Sequence, residues 1–373
     1  MSYSSRYSGH RSSRRRKGKL FIIGGVVLAL VVLLALYFIF FTGSPSPTPY
    51  TPLNISSGTA VSANDSNLYY ISGTSLVCAD LNGTELWSSK FSETDLQVAV
   101  SNTFICVYNS SVAYVIDMNK NILFTVPSSR YTINSAKVSD EAVVLYSSLA
   151  DSETPADCFR VFDATGSEID RIELDEATLI DYGFYDGSKF WYMSLDTTGV
   201  RPISRVITHD PLQQQLTGTS QFSDELIDKV FFFSTEMYVS GTTSLSSFDA
   251  FGTDLDSWLV YGMQCMDVCT TDSDLFAVYC PRSDVLGGSL NTARIITRSG
   301  TDTLIQLPSG ITSVFAARAG IYCFGDGSYS RYRLTGEFIE TVPLDYHFET
   351  VERLTNQLLL LRDSSASYIL KIA

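Results

Sequence analysis

The stretch Leu76-Val77-Cys78-Ala79-Asp80-Leu81-Asn82-Gly83-Thr84-Glu85-Leu86-Trp87 contains the pattern that decides the fold. Two apolar runs flank a short polar segment in which Asn82 and Gly83 are adjacent. An Asn-Gly pair between apolar runs is typical of a hairpin turn, because glycine readily adopts the positive φ that such turns require. The stretch therefore predicts two antiparallel strands joined by a tight turn.

Related hairpins recur along residues 53–373. In each copy one residue ends the first strand, here called the anchor, and glycine follows three positions later except at Lys120 and Pro211. The anchors are Asp80, Asp117, Asp163, Thr208, Asp249, Thr297 and Arg333. Neighbouring anchors lie 36 to 48 residues apart, and two more strand-like runs precede each hairpin. A period of about 40 residues with four strands per unit predicts an all-β fold of the β-propeller type.

The repeat also predicts a blade number and a way to close the ring. We count eight four-stranded blades; seven is the alternative, because the degenerate unit at 176–220 also fits a long insertion. Two stacked sandwiches are the alternative class of fold. The last unit ends one strand short at Tyr368–Ile372, and we expect Pro52–Ile55 to supply that strand. Both ends of the domain would then meet in one sheet.

The quoted stretch resembles the turn motif of pyrroloquinoline-quinone-like repeats, in which an Asp, an Asn-Gly or Thr-Gly turn and a Trp recur in each blade. The repeat as a whole also resembles those of WD40-like propellers. Asp163-Ala164-Thr165-Gly166 and Asp249-Ala250-Phe251-Gly252 match it in part. The chain also resembles bacterial membrane-anchored propeller proteins. This resemblance implies a propeller that is either a dehydrogenase or a non-catalytic assembly factor, and it does not decide between them.

The N-terminal region predicts a membrane anchor. Residues 1–19 carry seven Arg or Lys and no acid, and Leu20 to Phe41 contains no charge. An apolar helix of 22 residues is ~33 Å long, enough to cross a bilayer. A cleaved signal peptide is the alternative, but its apolar region is shorter and ends in small residues. We therefore predict a cytoplasmic tail at 1–19, a single transmembrane helix at 20–41, a Pro-rich linker at 42–52 and an extracytoplasmic domain at 53–373.

Charge and motifs limit the classes of function. The formal charge of the chain is −14, and removing the seven basic residues of the tail leaves −21 on the rest. Nucleic acid is therefore not an expected partner, because phosphate binding requires clustered Lys and Arg. We predict no cofactor, metal or catalytic residue: His209 and His347 stand outside any ligand-spaced motif. Quinone enzymes of this fold would be expected to have adjacent cysteines, whereas the closest pair here is Cys265 and Cys269.

The seven cysteines mostly lie within apolar runs, so we predict buried thiols; a disulfide in the 265–280 region is the alternative. The aromatic runs at 190–192 and 231–233 predict packing between blades, because adjacent strand residues face opposite sides of a sheet.

A binding surface is predicted from the connections between second and third strands, which all emerge on one face of a propeller. Three are longer than the rest: Ser148–Asp157, Asp196–Pro202 and Pro281–Thr292. Loops on a rigid scaffold commonly carry function, although surface insertions are also tolerated without one. The candidate partner-binding residues are Asp151, Glu153, Asp157, Asp196, Arg201, Arg282 and Asp284. We favour a non-catalytic scaffold for a protein or cell-envelope polymer; the alternative is a hydrolase or quinone-dependent oxidoreductase with its site at the central channel.

Overall fold

The computed structural model describes residues 50–149, 156–174, 177–249, 251–271, 273–325 and 327–372. The predicted tail at 1–19, the predicted membrane helix at 20–41 and the first part of the linker lie outside these ranges. None of the helices in the described ranges combines the length and the hydrophobicity that crossing a membrane would require.

Short strands make up most of the described chain, as the repeat predicted. The first strands are β1 (Tyr50–Ser56), β2 (Val61–Ala63), β3 (Asn67–Ser72), β4 (Ser75–Asp80), β5 (Glu85–Lys90), β6 (Gln97–Val100), β7 (Phe104–Tyr108), β8 (Val112–Asp117), β9 (Ile122–Pro127), β10 (Tyr131–Val138), β11 (Ala142–Leu149), β12 (Asp157–Asp163) and β13 (Glu168–Glu173). They are followed by β14 (Thr178–Asp186), β15 (Lys189–Asp196), β16 (Ile203–Asp210), β17 (Gln215–Ser223), β18 (Ile227–Phe233), β19 (Glu236–Gly241), β20 (Ser244–Phe248) and β21 (Asp254–Leu259). The remaining elements are β22 (Met263–Thr270), β23 (Leu275–Pro281), the helix α1 (Arg282–Gly287), β24 (Leu290–Thr297), β25 (Asp302–Ala317), β26 (Gly320–Gly325), β27 (Ser328–Tyr332), β28 (Phe338–Pro343), β29 (Thr350–Thr355), β30 (Leu358–Arg362) and β31 (Ala366–Lys371).

The strands pair antiparallel in chain order and form four-stranded sheets. We call β2–β5 unit 1, β6–β9 unit 2, β10–β13 unit 3, β14–β17 unit 4 and β18–β21 unit 5. The strands β22–β28 form one seven-stranded sheet because β25 is shared. Residues 302–306 of β25 pair with β24 in unit 6, and residues 311–317 pair with β26 in unit 7. Unit 8 consists of β29, β30, β31 and β1.

The first strand of the domain completes the last sheet, which confirms the predicted closure. Tyr50 pairs with Leu370 and Leu53 with Ser367, so β1 runs antiparallel to β31. The strand begins at Tyr50, so the last three residues of the predicted linker belong to it. A single sheet therefore ties together the two ends of the domain.

The aspartate anchors act through their carboxylates. In the quoted stretch, Asp80 accepts hydrogen bonds from the backbone N–H of Asn82 and Thr84 at 2.9 and 2.8 Å. Gly83 has a φ of +79°, as the Asn-Gly pair predicted. Lys120, one of the two exceptions, adopts the same conformation with a φ of +71°. The anchor carboxylate holds the turn closed, which explains why an acidic residue recurs there.

The degenerate copy is anchored two residues later than predicted. The carboxylate that accepts the turn N–H groups is that of Asp210, with Leu212 N at 3.1 Å, and not the side chain of Thr208. Gln214 supplies the positive φ, at +51°. The proline at 211 lengthens this turn, and that obscured its register in the sequence.

Apolar side chains fill the spaces between neighbouring units. Phe159 in unit 3 lies 4.9 Å, centroid to centroid, from Phe190 in unit 4. Residues Phe190, Trp191 and Tyr192 are all buried, as predicted for packing rather than for an exposed aromatic platform. All seven cysteines are buried free thiols, and burial raises the pKa of Cys106 and Cys280 to about 12. Thiols of this kind stay protonated and act as core residues.

The connections divide between two faces. The second-to-third-strand loops and the links from one unit to the next lie on one side, called the loop face. The first-to-second-strand connections and the anchored hairpin turns lie on the other side, called the turn face. Tyr50 lies at the turn-face end of its sheet, because it pairs with Leu370 near the end of β31.

Candidate partner-binding surface

The structure contains the three extended connections that the sequence predicted, between β11 and β12, β15 and β16, and β23 and β24. Most of the first lies outside the described residues, and this includes the candidates Asp151 and Glu153. The other five candidates are described.

Asp157 holds the base of the first connection. It begins β12, and its carboxylate accepts hydrogen bonds from the Ser148 hydroxyl at 2.6 Å and from the Tyr146 hydroxyl. Burial, followed by the hydrogen bond to Asp157, raises the pKa of Tyr146. Both carboxylate oxygens have partners within the unit, so the role of Asp157 is structural.

The second connection is fixed at both ends. Asp196 accepts hydrogen bonds from the Thr198 hydroxyl at 2.7 Å and from Arg205 at 3.2 Å. The Thr198 hydroxyl makes the largest contribution to lowering the pKa of Asp196. Arg201 forms an ion pair with Asp224, which lies in the link to unit 5. The arginine side chain is 72% exposed, so this pair adds little stability and leaves Arg201 within reach of a partner.

The third connection contains a helical turn that the sequence did not predict. The helix α1 follows Pro281 and is capped at its C-terminal end by Gly288, which has a left-handed φ of +71°. Asp284 accepts hydrogen bonds from the backbone and side-chain N–H of Asn291 at 3.1 and 3.2 Å. A six-residue helix is too short to show apolar periodicity; Asp in its first turn and Gly at its end were the available signals.

Hydrogen bonds join the second and third connections into one surface through the short loops of unit 5. Four backbone bonds cross it: Asp224 N to Pro202 O at 3.2 Å, Thr242 N to Leu226 O at 3.0 Å, Val260 N to Thr243 O at 2.9 Å, and Arg282 N to Gly262 O at 2.9 Å. We call this surface the unit 4–6 rim, defined as residues 196–203, 224–226, 241–244, 259–262 and 281–290. The rim is one continuous part of the loop face.

Large apolar side chains project from the rim into solvent. They are Val200, Leu226, Leu259, Tyr261 and Leu286, and all but Leu226 are more than 70% exposed. An exposed apolar patch that is bordered by polar residues commonly marks a protein-interaction site. Sequence reasoning selected the charged residues of these loops, but Asp157, Asp196 and Asp284 are engaged in internal hydrogen bonds. The apolar residues at the loop tips were overlooked because an isolated apolar residue in a loop is common.

Charged side chains on the inner strands pair with one another. Arg353 in unit 8 donates to Asp267 in unit 6 at 3.0 Å, and the same carboxylate accepts the N–H of Ala316 in unit 7 at 2.8 Å. Lys137 in unit 3 pairs with Asp181 in unit 4 at 2.9 Å. These pairs join the first strands of different units, and they act as links within the scaffold.

A polar cavity of about 780 Å³ opens among the first-to-second-strand connections of units 1 to 4 and 8. Two of its carboxylates are used between units. Asp140 accepts the backbone N–H of Asn102 at 2.8 Å, and Asp65 accepts the Asn102 side-chain amide at 2.9 Å. Within the described ranges, no three His, Cys, Asp or Glu side chains converge as the ligands of a metal ion would.

Comparison with solved structures shows the fold to be a β-propeller of the WD40-like kind. BamB from Moraxella catarrhalis is 12% identical, with a TM-score of 0.53 over 87% of this chain and 100% of that chain. The computationally designed Ika8 protein gives a TM-score of 0.58 at 12% identity, over 86% of this chain and 99% of that chain. The C-terminal WD40 domain of Sif2 gives a TM-score of 0.56 at 12% identity, over 87% and 99%. At such low identity the likeness concerns the fold alone.

No curated protein matches the sequence. Residues 51–252, more than half of the chain, match the family described as "Family of unknown function (DUF5711)". The matched range begins in β1 and ends in the anchored turn of unit 5, so it includes the second extended connection. The chain belongs to the DUF5711 family.

Proposed function

We propose that this protein is a membrane-anchored, extracytoplasmic β-propeller that binds a protein partner through the unit 4–6 rim and does not itself catalyse a reaction. The large exposed apolar side chains that share the hydrogen-bonded loops of the rim carry the proposal. Apolar residues are exposed on two extended loops and on the links between units. Covering them with another surface lowers the free energy, because it removes apolar area from water.

A protein fits this surface better than a charged envelope polymer does. Tyr261 and the aliphatic side chains of Val200 and Leu286 offer apolar contact area, and aromatic residues are enriched in protein interfaces. Arg201 follows Val200 in the same loop, and its exposed side chain provides a polar contact at the border of the patch. A protein interface has this arrangement, with an apolar centre and a polar edge.

Two further parts of the proposal concern architecture and location. The eight units are proposed to be eight blades of one ring, which the pairing of β1 with β31 closes. The uncharged segment from Leu20 to Phe41 is proposed to anchor the chain, with the basic tail in the cytoplasm and the propeller outside. Adding protease to intact cells would test this location. We expect the propeller to be digested and residues 1–19 to be protected.

Replacing the rim residues tests the function. We propose the triple variant Val200→Ser, Tyr261→Ser and Leu286→Ser in the full chain, followed by chemical cross-linking in its native membrane and mass spectrometry of the captured proteins. We expect at least a tenfold loss of the main cross-linked partner, because central apolar residues supply most of the binding free energy of an interface.

The matched control replaces exposed apolar residues on outer strands away from the rim: Leu86→Ser, Ile122→Ser and Phe338→Ser. These side chains are 53 to 55% exposed. The control should capture the same partner as the unmodified protein does. If both triple variants capture the partner equally well, the rim does not bind it.

A further inference from the structure

Neighbouring units are packed together at the turn face by side chains that reach across the junction. The Phe124 ring, on the outer strand of unit 2, lies against Gly166 in the anchored turn of unit 3. A Cβ atom at Gly166 would come within 2.6 Å of that ring. Leu53 lies against Gly83 in the same way, at 2.9 Å from such an atom. A large side chain therefore fills these junctions, and the turn glycine makes room for it.

The junction between units 4 and 5 lacks this filler. Gly218 occupies the position of Phe124. In unit 2 the pairing of β8 with β9 has a β-bulge, and Phe124 pairs with Val115 next to it. In unit 4 the pairing of β16 with β17 has the same bulge, and Gly218 pairs with Thr208 next to it. The nearest group to a Cβ atom at Gly252, in the turn of unit 5, is the Ser220 hydroxyl at 3.9 Å. Small residues on β17 thus leave a groove of about 320 Å³ between the two units.

The groove has aromatic residues at its floor and at its mouth. Tyr185 and Phe232 are stacked, with their ring centroids 4.5 Å apart, and Val206 and Met237 also line the groove. At its mouth Phe251 is 86% exposed, although it is a large apolar residue. The floor resembles the interior of a filled junction, but Gly218 and Ser220, the residues of β17 beside the turn of unit 5, are small.

Charges around the groove are already matched. Lys189 pairs with Asp186 at 3.0 Å, and the Asp249 carboxylate accepts the backbone N–H of Phe251 and Thr253 at 2.8 Å each. A charged ligand would have to compete with these contacts. An uncharged apolar group would not.

We infer that this groove is a second binding site, which receives one aromatic side chain from an extended segment of a protein partner. The partner would supply between units 4 and 5 what Phe124 supplies between units 2 and 3. The outer strand β17 borders the groove and has a free edge in the sheet order β14-β15-β16-β17. An extended segment along that edge would direct alternate side chains towards the groove. This site lies on the turn face and is independent of the unit 4–6 rim.

A peptide selection tests the inference directly. The full chain, held in a detergent micelle, is presented to a phage-displayed library of random 12-residue peptides, and the enriched peptides are synthesised. We expect a consensus with one aromatic residue, whose replacement by Ala weakens binding at least tenfold, as is typical of a buried aromatic anchor. Enriched peptides without a shared aromatic residue would overturn the inference.

Two variants locate the site, and one serves as a control. Ser220→Trp places a large side chain in the groove and should abolish peptide binding. Phe251→Ser changes an exposed residue that the fold does not depend on, and should weaken binding several-fold even if Ser220→Trp does not fold. Ser89→Trp makes the same change at the equivalent position on the outer strand of unit 1, since Ser89 pairs with Leu76 as Ser220 pairs with Val206, and it should bind normally. Unchanged binding by Phe251→Ser and by a folded Ser220→Trp would place the peptide elsewhere.

The triple rim variant distinguishes this inference from the proposed function. It should retain peptide binding in the groove, since Val200, Tyr261 and Leu286 are on the opposite face. Loss of peptide binding in the rim variant, with binding retained in Phe251→Ser, would show that the selected peptides occupy the rim and would contradict the groove as their site.

Discussion

Units 1 to 3 and units 4 to 6 are built from the same four-stranded repeat, yet they differ in how completely they are packed. In units 1 to 3 each hairpin turn is closed by an anchor aspartate, and Phe124 fills the junction that follows unit 2. In units 4 to 6 the anchors are less regular, two second-to-third-strand loops are long, and a groove opens between units 4 and 5. Among the described loops of units 1 to 6, the large apolar residues that are exposed also lie in units 4 to 6.

This difference separates residues that stabilise the fold from residues that are available for binding. The regular units satisfy their turns and junctions internally, so little is left over for a partner. The irregular units leave apolar surface uncovered at the rim and in the groove between units 4 and 5. A repeat protein can tolerate this because each unit contacts mainly its neighbours.

The largest effect on the free energy of unfolding should come from the inner strands, where charged side chains of different units are paired. Replacing Asp267 with Ala leaves the mostly buried Arg353 guanidinium without a carboxylate partner; the Asp267 and Arg353 side chains are only 10% and 20% exposed. We expect the free energy of unfolding to fall by about 3–5 kcal/mol, as for other broken buried pairs. Denaturant titration measures it.

The control for this prediction is Asp181→Ala, whose partner Lys137 is 44% exposed. Its cost should be below about 1 kcal/mol, because a solvated ion pair contributes little. Equal costs for the two variants would mean that the Asp267 pair does not hold the inner strands together.

A pair of glycine substitutions sharpens the comparison of the junctions. Gly166 and Gly252 have nearly the same φ, +84° and +83°, so Ala is strained at both by about 1–2 kcal/mol. Only Gly166 also faces the Phe124 ring. We expect Gly166→Ala to cost a further ~1–3 kcal/mol through overpacking. If thermal unfolding finds equal losses, the junction after unit 4 is as tightly filled as the junction after unit 2.

Acid should weaken the anchored turns. Hydrogen bonds from the side chain and then the backbone of Asn121 lower the pKa of Asp117 below its usual 3.8. The carboxylate therefore contributes stability that is present above its ordinary pKa of 3.8 and is lost as the pH falls through its lowered pKa. The variant Asp117→Asn should show a flatter dependence of unfolding free energy on pH between 2 and 4 than the unmodified protein. Parallel curves for the two proteins would contradict this role for the anchor.

The smallest effect on stability should come from the rim. Val200→Ser and Leu286→Ser remove side chains that have little packing to lose, so the unfolding free energy should stay within about 0.5 kcal/mol of the unmodified value. Denaturant titration of both variants measures it. A loss above 1 kcal/mol would mean that these side chains serve the fold and not a partner.

The sequence predicted the fold well because the repeat is local. Asn82-Gly83 and the recurring acidic anchors encode hairpins within a dozen residues. The last unit was one strand short, and this predicted that a strand near Pro52–Ile55 would complete its sheet. The candidate site was harder to predict. Whether Asp196 is free or bonded depends on the conformation of its own loop, which brings Thr198 and Arg205 to its carboxylate. Whether Gly218 faces a filled or an open junction depends on a turn in the next unit.

One measurement tests the central claim most directly, namely that the rim of the irregular units binds a protein. A photo-cross-linking amino acid is placed at position 261 in the rim, or at position 110 in the short second-to-third-strand loop of unit 2, in the full chain in its native membrane. We predict a strong, discrete cross-linked product from position 261 and none from position 110. Equal products from both positions, or a product from position 110 alone, would contradict the account.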